Sequence, residues 1–405
     1  MKLNTAVFFG GESVEHEVSI ISAHQAIEAL DKEKYNVIPI YVSKDRKMYC
    51  SDLLFDMKSY IDLSKLISEC TQVTIVREDN RVVIKPVKAK MFGNKEIGTI
   101  DVAVPVMHGT NGEDGTIQGF LEMLKVPYAG CDLYGAAVGQ DKVLMKHILA
   151  DNDIPMANWF WVYANEIDDH KDEVLARVHK LIYPVILKPA RTGSSVGIAI
   201  AHNDDEYLEC FEDARQYDEK VITEKVVKPM VEINCSVLGD AYNCEPSVLE
   251  QVGHQSSDEL LTFQDKYQGG GKGTKTKGAK SSGSKGAGMA STARIVPAPI
   301  SDEQTKMIQD LAVKTFRTLG ASGVCRIDFM MDQETKRVYV NEINTIPGSL
   351  AFYLWTEKGV SFTELMDRLI NIALERERRR SRMTFSYDTN LLSTYNESSA
   401  KGSKR

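Results

Sequence analysis

The chain opens with TAVFFGG, an apolar run ending in glycines. VSIISAHQAIEALDK follows and reads as a helix, and YNVIPIYV reads as a second apolar strand. Strand, helix and strand in that order make a βαβ unit, which commits this end of the chain to a parallel sheet and an α/β class. IDVAVPVM (100–107) is another buried strand, and HGTNGEDGTIQGFLEML turns through glycines into a helix. The first domain is expected over 1–135.

Further along, DKVLMKHILADNDIP reads as an amphipathic helix ended by Pro155. YPVILKPA, RTGSSVGIAI and KVITEKVV supply strands and a glycine turn for a second unit over 136–230. A third unit over 231–375 has strands at VEINCSVLGD, CRIDFMMD and RVYVNEIN. A helix at SDEQTKMIQDLAVKTFRTLG lies among them, and SFTELMDRLINIALERERRR closes the fold. Residues 268–292 hold almost nothing apolar and cannot offset the entropy of ordering, so a mobile loop is expected over 264–292. From 376 to 405 the chain is basic and then Ser-rich, and a frayed tail is expected there.

Composition excludes some functions. A net charge of −8 over 405 residues argues against general nucleic-acid binding. No apolar run reaches the roughly 18 residues of a membrane span, and the N-terminus turns acidic too soon for a signal peptide. The seven cysteines are scattered without a CxxC pair, so disulfide frameworks and zinc sites are not expected.

The chemistry concentrates at strand ends. Glu342 and Asn344 stand two apart, and alternate strand positions face the same way. Asp328, on a neighbouring strand, can join them. Two carboxylates and an amide oxygen form a hard oxygen set suited to Mg²⁺; on the residues alone a solvated strand end fits equally well. Lys188 ends the apolar run PVILK, which would bury its stem and place its ammonium. The loop RTGSSVG after it could cover phosphates with backbone N–H groups. It is not a Walker A loop, since GK[ST] is absent. Lys142, near a helix start, is a second phosphate candidate, and a surface lysine is the equal alternative.

Taken together these segments resemble the D-alanine–D-alanine ligases of the ATP-grasp superfamily. The resemblance covers about residues 5–370. It rests on FGGESVEHEVSIISA (9–23), HGTNGEDGTIQGFLE (108–122), VPYAG (126–130), QDK (140–142), KPARTGSSVGI (188–198), RIDFM (326–330) and NEINTIPG (341–348), in that order. It implies a three-domain ATP-grasp fold with an N-terminal parallel-sheet domain and ATP between two antiparallel lobes. The implied activity is cytoplasmic, ADP-forming ligation of two D-alanines through an acyl phosphate, for peptidoglycan precursors. ATP and Mg²⁺ are implied, with two ions and Mn²⁺ as a substitute. The implied partners are small molecules only, with neither nucleic acid nor membrane, and the family suggests a homodimer.

The same resemblance assigns roles. Asp328, Glu342 and Asn344 match metal ligands, and Lys142 and Lys188 phosphate-binding lysines. Glu224 and Glu232 match positions facing adenine and ribose. Glu15 matches the carboxylate that receives the first substrate's ammonium. Ser194 and Tyr267 match its hydrogen-bonded partners, and Lys266 the lysine of a closing loop. Arg326 and the N–H of Gly348 match the groups facing the tetrahedral intermediate, and His108 lines the substrate cavity. The chain departs from the family pattern at SLAFYLW (349–355), where Ser349 or Tyr353 would supply the hydroxyl toward the second substrate. That leaves D-alanine, D-serine and D-lactate open as second substrate. A non-catalytic ATP-binding homologue is the alternative of another class.

Overall fold

A computed structural model describes residues 2–88, 96–252 and 294–390. Sixteen strands are described: β1 (Leu3–Gly10), β2 (Tyr35–Val42), β3 (Met48–Cys50), β4 (Thr71–Glu78), β5 (Arg81–Pro86), β6 (Gly98–Ile100), β7 (Val102–Pro105), β8 (Trp159–Tyr163), β9 (Val185–Pro189), β10 (Ala199–Ala201), β11 (Lys220–Lys225), β12 (Met230–Gly239), β13 (Cys244–Val252), β14 (Arg294–Ile295), β15 (Gly323–Asp332) and β16 (Val338–Asn344). They form three sheets, in the orders β6-β5-β4-β3-β2-β1-β7, β10-β9-β11-β8 and β14-β13-β12-β15-β16.

In the first sheet the expected parallel unit is present: β1 pairs in parallel with both β2 and β7. The sheet is only partly parallel, however. An antiparallel wing, β3 to β6, extends it beyond β2. The helix His16–Ala29 crosses over from β1 to β2, and its buried Ile20, Ala23 and Ile27 pack on Val7 and Phe9.

The other two sheets are antiparallel, and each is two-faced because its strands alternate. On the second sheet, Val162, Val185, Leu187 and Val221 pack against the helices Lys171–Leu181 and Asp204–Ala214. That leaves Lys188 and its cross-strand partner Ile222 on the opposite face, with Glu224 two residues beyond. On the third sheet, Ile233, Cys235, Leu249, Ile327, Phe329 and Ile343 pack with Ile308, Ala312 and Phe316 of the helix Asp302–Thr318. Its other face carries Asn234, Arg326, Asp328, Glu342 and Asn344. Period-two alternation thus puts aliphatic side chains toward a helix and charge toward the cleft.

The final helix, Phe362–Arg380, seats Leu365, Met366, Leu369 and Ile370 in the same core as β1. The tail expected from 376 therefore begins later. Arg376 donates to the carbonyl oxygens of Gly130 and Tyr128 at 2.9 and 2.6 Å, and Arg379 and Arg380 pair with Asp240 and Glu122, each at 2.6 Å. Those contacts hold the basic run in the helix, which ends at Arg380.

Candidate active site

Glu15 lies at the start of the helix His16–Ala29 and is almost fully buried. Its carboxylate accepts a short hydrogen bond from the Ser194 hydroxyl, 179 residues away in the glycine-rich loop after β9. Gly109 comes so close that a Cβ there would stand 2.7 Å from Glu15 Oε2, and its φ of +71° suits glycine as well. Glu113, from the same HGTNGEDG segment, is also buried. It accepts from the backbone N–H groups of Gly109 at 3.0 Å and Ile346 at 2.9 Å, tying the first domain to the NTIPG loop. Burial, and then the charge of Glu15, push its carboxyl up to about 8.

His108 is buried beside them and its pKa is lowered, by burial first. A neutral ring accounts for both of its contacts. Nδ1–H donates to the Ile346 carbonyl oxygen at 2.9 Å, and Nε2 accepts from the Ser22 hydroxyl at 3.0 Å. Ser22 Oγ in turn accepts from the Ser349 N–H at 3.1 Å. Gly348 opens the short turn Gly348–Ala351, in which Ser349, Leu350 and Ala351 all take left-handed conformations (φ 51°, 52° and 50°). Each such non-glycine residue costs about 1–2 kcal/mol, so packing and the Ser22 bond must hold the turn.

Across the cleft the strand register does the assembling. Asp328 pairs directly with Glu342, and Arg326 with Asn344. Arg326 donates to both carboxylate oxygens of Asp328, at 2.6 and 2.8 Å, and Asn344 Nδ2 donates to one of them at 3.0 Å. The pairing of Arg326 with Asp328 is thus present within the cluster. Burial pushes the Asp328 carboxyl up, Arg326 opposes this, and Glu342 and Glu250 add to it.

The lysines reach the cluster from the second lobe. Asp141 caps the helix Lys142–Asp151, accepting from the N–H groups of Val143 and Leu144, and so fixes Lys142 as its first residue. Lys142 Nζ donates to the Thr192 carbonyl oxygen at 2.9 Å and stands 3.6 Å from Glu342. Lys188 Nζ donates to Asn341 Oδ1 at 3.0 Å. Glu224 is 1% exposed, packed between Lys146 at 3.4 Å and Lys188 at 3.3 Å. Burial works to raise its pKa, and the two ammonium groups overcome that and hold it low. The expectation that Glu224 faces adenine thus meets a carboxylate committed to two lysines. Glu232 shares a sheet face with Asn234, whose Nδ2 stands 3.4 Å from Glu232 Oε1.

Tyr353, expected to offer a hydroxyl to a substrate, donates it to the fully buried Glu250 at 2.7 Å. Burial, then Glu250, raise its pKa. Ser349 engages Ser22 through its backbone. Lys266 and Tyr267 lie outside the described residues. Glu113, Lys146, Glu250 and Asn341 were not singled out from the sequence. Lys146 had a readable signal, because it lies four residues after Lys142 on one helix and therefore shares its face.

Among the described residues no three His, Cys, Asp or Glu side chains stand grouped to hold a metal ion. The set here is two carboxylates and an amide. Its all-oxygen chemistry fits Mg²⁺, and the upward push on Asp328 from burial and neighbouring carboxylates is what a dication would relieve.

Two antiparallel lobes that direct lysines and an oxygen cluster into one cleft define an ATP-grasp enzyme. The D-ala D-ala ligase N-terminus family matches residues 4–131 and the D-ala D-ala ligase C-terminus family residues 148–371. The chain belongs to the D-alanine–D-alanine ligase family. It is similar to the D-alanine–D-alanine ligase of Thermosipho africanus, 37% identical over 394 residues, covering 96% of this chain and 98% of that one. It is also similar to that of Caldicellulosiruptor bescii, 36% identical over 391 residues, covering 95% and 99%. Among solved structures, the D-alanine–D-alanine ligase of Coxiella burnetii superposes with a TM-score of 0.75 at 26% identity, covering 94% of this chain and 96% of that one. The VanG D-Ala:D-Ser ligase of Enterococcus faecalis superposes with a TM-score of 0.73 at 26% identity, covering 92% and 100%.

Proposed function

We propose that the protein joins two D-alanines at the expense of ATP, through a D-alanyl phosphate. The observation that carries this reading is the meeting of three groups of side chains in one cleft. These are the Glu15–Ser194 pair, the lysines Lys142 and Lys188, and the Asp328–Glu342–Asn344 cluster with Arg326.

Glu15, oriented by Ser194, is an anionic seat for the ammonium of the first D-alanine. Its carboxylate end then points toward the lysines. A carboxylate is a poor electrophile; phosphorylation gives it a good leaving group, and the amine of the second D-alanine displaces phosphate. Lys142 and Lys188 neutralise the phosphoryl groups during transfer. Asp328, Glu342 and Asn344 would hold Mg²⁺, which when bound supplies further positive charge at the phosphates. Two such ions, with Mn²⁺ able to replace them, belong to the same proposal. Arg326 faces the oxyanion that forms as the amine attacks, with the Gly348 N–H beside it. His108, neutral and held by Ser22 and Ile346, shapes the wall between the two amino-acid seats. Glu232 faces the ribose. Glu224 acts on the nucleotide through the two lysines that it fixes.

Work in the cytoplasm, where ATP and amino acids meet, and a homodimeric state are part of this reading. Among the described residues no helix is long and apolar enough to cross a membrane. Sedimentation velocity tests the dimer.

The test of function supplies ATP and Mg²⁺ with D-alanine alone, with added D-serine and with added D-lactate, and identifies products by mass. D-alanyl-D-alanine, with one ADP per dipeptide, is expected from D-alanine alone. Product only with D-serine or D-lactate would reassign the second substrate. ATP binding with no condensation in any arm would leave a non-catalytic homologue.

A further inference from the structure

The strand register builds a row across the cleft face of the third sheet that goes beyond the cluster already described. Glu250 on β13 pairs with Asn234 on β12, Asn234 with Asp328 on β15, and Asp328 with Glu342 on β16. Directly opposed side chains on one face have Cβ atoms about 5 Å apart, so the four form one contiguous polar line.

Asn234 is 2% exposed, and its orientation is fixed. Its Nδ2 donates to Glu250 Oε1 at 3.1 Å and leans toward Glu232 Oε1 at 3.4 Å. The opposite rotamer of the amide would set its oxygen against two carboxylates. Since β12 lies between β13 and β15, an amide nitrogen turned toward Glu250 leaves Oδ1 on the side away from it, where Asp328 follows in the row. That oxygen is buried and has no hydrogen-bond partner among the described residues. Asp328 accepts three hydrogen bonds, from Arg326 and Asn344, out of about four that a carboxylate can take. A buried acceptor with no donor thus stands next in line to a carboxylate, an arrangement that a cation between them would satisfy.

We propose that Asn234 Oδ1 is an additional oxygen ligand of the divalent-cation site, beside Asp328, Glu342 and Asn344. Glu250 is the residue that positions it by holding the amide nitrogen. Tyr353 and Arg294 in turn fix Glu250, the first by the 2.7 Å hydrogen bond, the second by an ion pair at 3.5 Å. The unusual Tyr353 of the SLAFYLW segment thereby acts on the cation site through two side chains. This inference rests on the ligase reading only for the identity of the cation.

The test is Mn²⁺ binding to the full chain, followed by the electron-paramagnetic signal of the free ion, with Mn²⁺ alone and with Mn²⁺ plus ADP, and with no amino acid present. Asn234→Ala should weaken Mn²⁺ binding in the presence of ADP about tenfold. Asn234→Asp combined with Glu250→Gln keeps an oxygen on the cation side and a donor–acceptor pair between the two side chains, and should bind Mn²⁺ about as tightly as wild type. Wild-type affinity in Asn234→Ala overturns the proposal. So does weak binding in the double variant, which would mean that no oxygen at this position reaches the cation. If the alanine variant fails to fold, the double variant decides alone. Failure of the wild-type protein to make dipeptide would sink the ligase reading and leave this measurement intact.

Discussion

Glu224→Gln is the sharpest perturbation of the buried charge beneath the candidate phosphate site. Glu224 lies 3.4 Å from Lys146 and 3.3 Å from Lys188, and Lys146 has no solvent exposure at all. At an effective dielectric of about 20, each attraction is roughly 5 kcal/mol, set against the desolvation of three charges and the repulsion between two ammonium groups. Glutamine keeps the shape and removes the charge, leaving two buried ammonium groups without a counter-ion. Breaking a buried pair in this way costs about 3–5 kcal/mol. There is also a ceiling, because Lys146, whose pKa burial already lowers, can shed its proton. Keeping a lysine neutral at pH 7 costs up to about 4.8 kcal/mol, and at pH 9 about 2 kcal/mol. In the variant the unfolded chain binds more protons than the folded one over this range, so stability rises with pH. Urea unfolding at pH 7 and pH 9 should therefore show a loss of about 3–5 kcal/mol that falls to roughly half. Lys146→Met, which removes a partner along with that partner's own desolvation, should cost less than Glu224→Gln. A loss under about 1 kcal/mol, or one that does not shrink at pH 9, would refute the reasoning.

Other perturbations read other parts of the site. Glu113, pushed up to about 8, takes up a proton on folding, so its contribution to stability is present below about pH 4.5 and is lost as pH rises toward 8. Glu113→Gln should cost about 1–2 kcal/mol near pH 6 for the weakened backbone bonds and flatten the decline between pH 5 and 8; an unchanged slope in chemical denaturation would contradict the assignment. Ser194→Ala should raise the KM for the first D-alanine about tenfold, from a lost charge-assisted bond of about 1.5 kcal/mol, with the KM for ATP nearly constant; equal rises in both would point to a general loss of structure. Tyr353→Phe removes the hydroxyl that Glu250 accepts from and should cost about 1–3 kcal/mol in thermal or urea unfolding.

What could be read in advance was local. Alternation within CRIDFMMD and RVYVNEIN put Asp328 on one face of its strand, and Glu342 and Asn344 together on one face of theirs. An apolar run ending in Lys188 anticipated a strand with a charged end. What could not be read was which distant residue answers each charge. Glu224 sits in a strand whose composition says nothing about Lys146, which comes from a helix far earlier in the chain. Glu250, in PSVLEQV, looks like an outward strand residue until its register beside Asn234 is known. The run RERRR looked like a solvated tail because its acceptors lie elsewhere: the carbonyl oxygens of Gly130 and Tyr128, and the carboxylates of Asp240 and Glu122. The antiparallel wing β3–β6 was missed because β3 and β6 are three residues each, while the 8 residues of β4 and 6 of β5 begin and end in polar, charged or proline residues and carry only a few apolar positions, so the apolar periodicity is weak.

The proposed mechanism requires Glu15, the lysines and the oxygen cluster to present an amino acid's carboxylate to the terminal phosphate of ATP. The direct measurement incubates the protein with ATP, Mg²⁺ and D-alanine labelled with ¹⁸O in its carboxylate, and then weighs the inorganic phosphate. One ¹⁸O should appear in each phosphate released together with dipeptide, because the acyl C–O bond breaks when the amine attacks. Phosphate carrying no label would mean that ATP is hydrolysed without phosphorylating the carboxylate, and would contradict the mechanism.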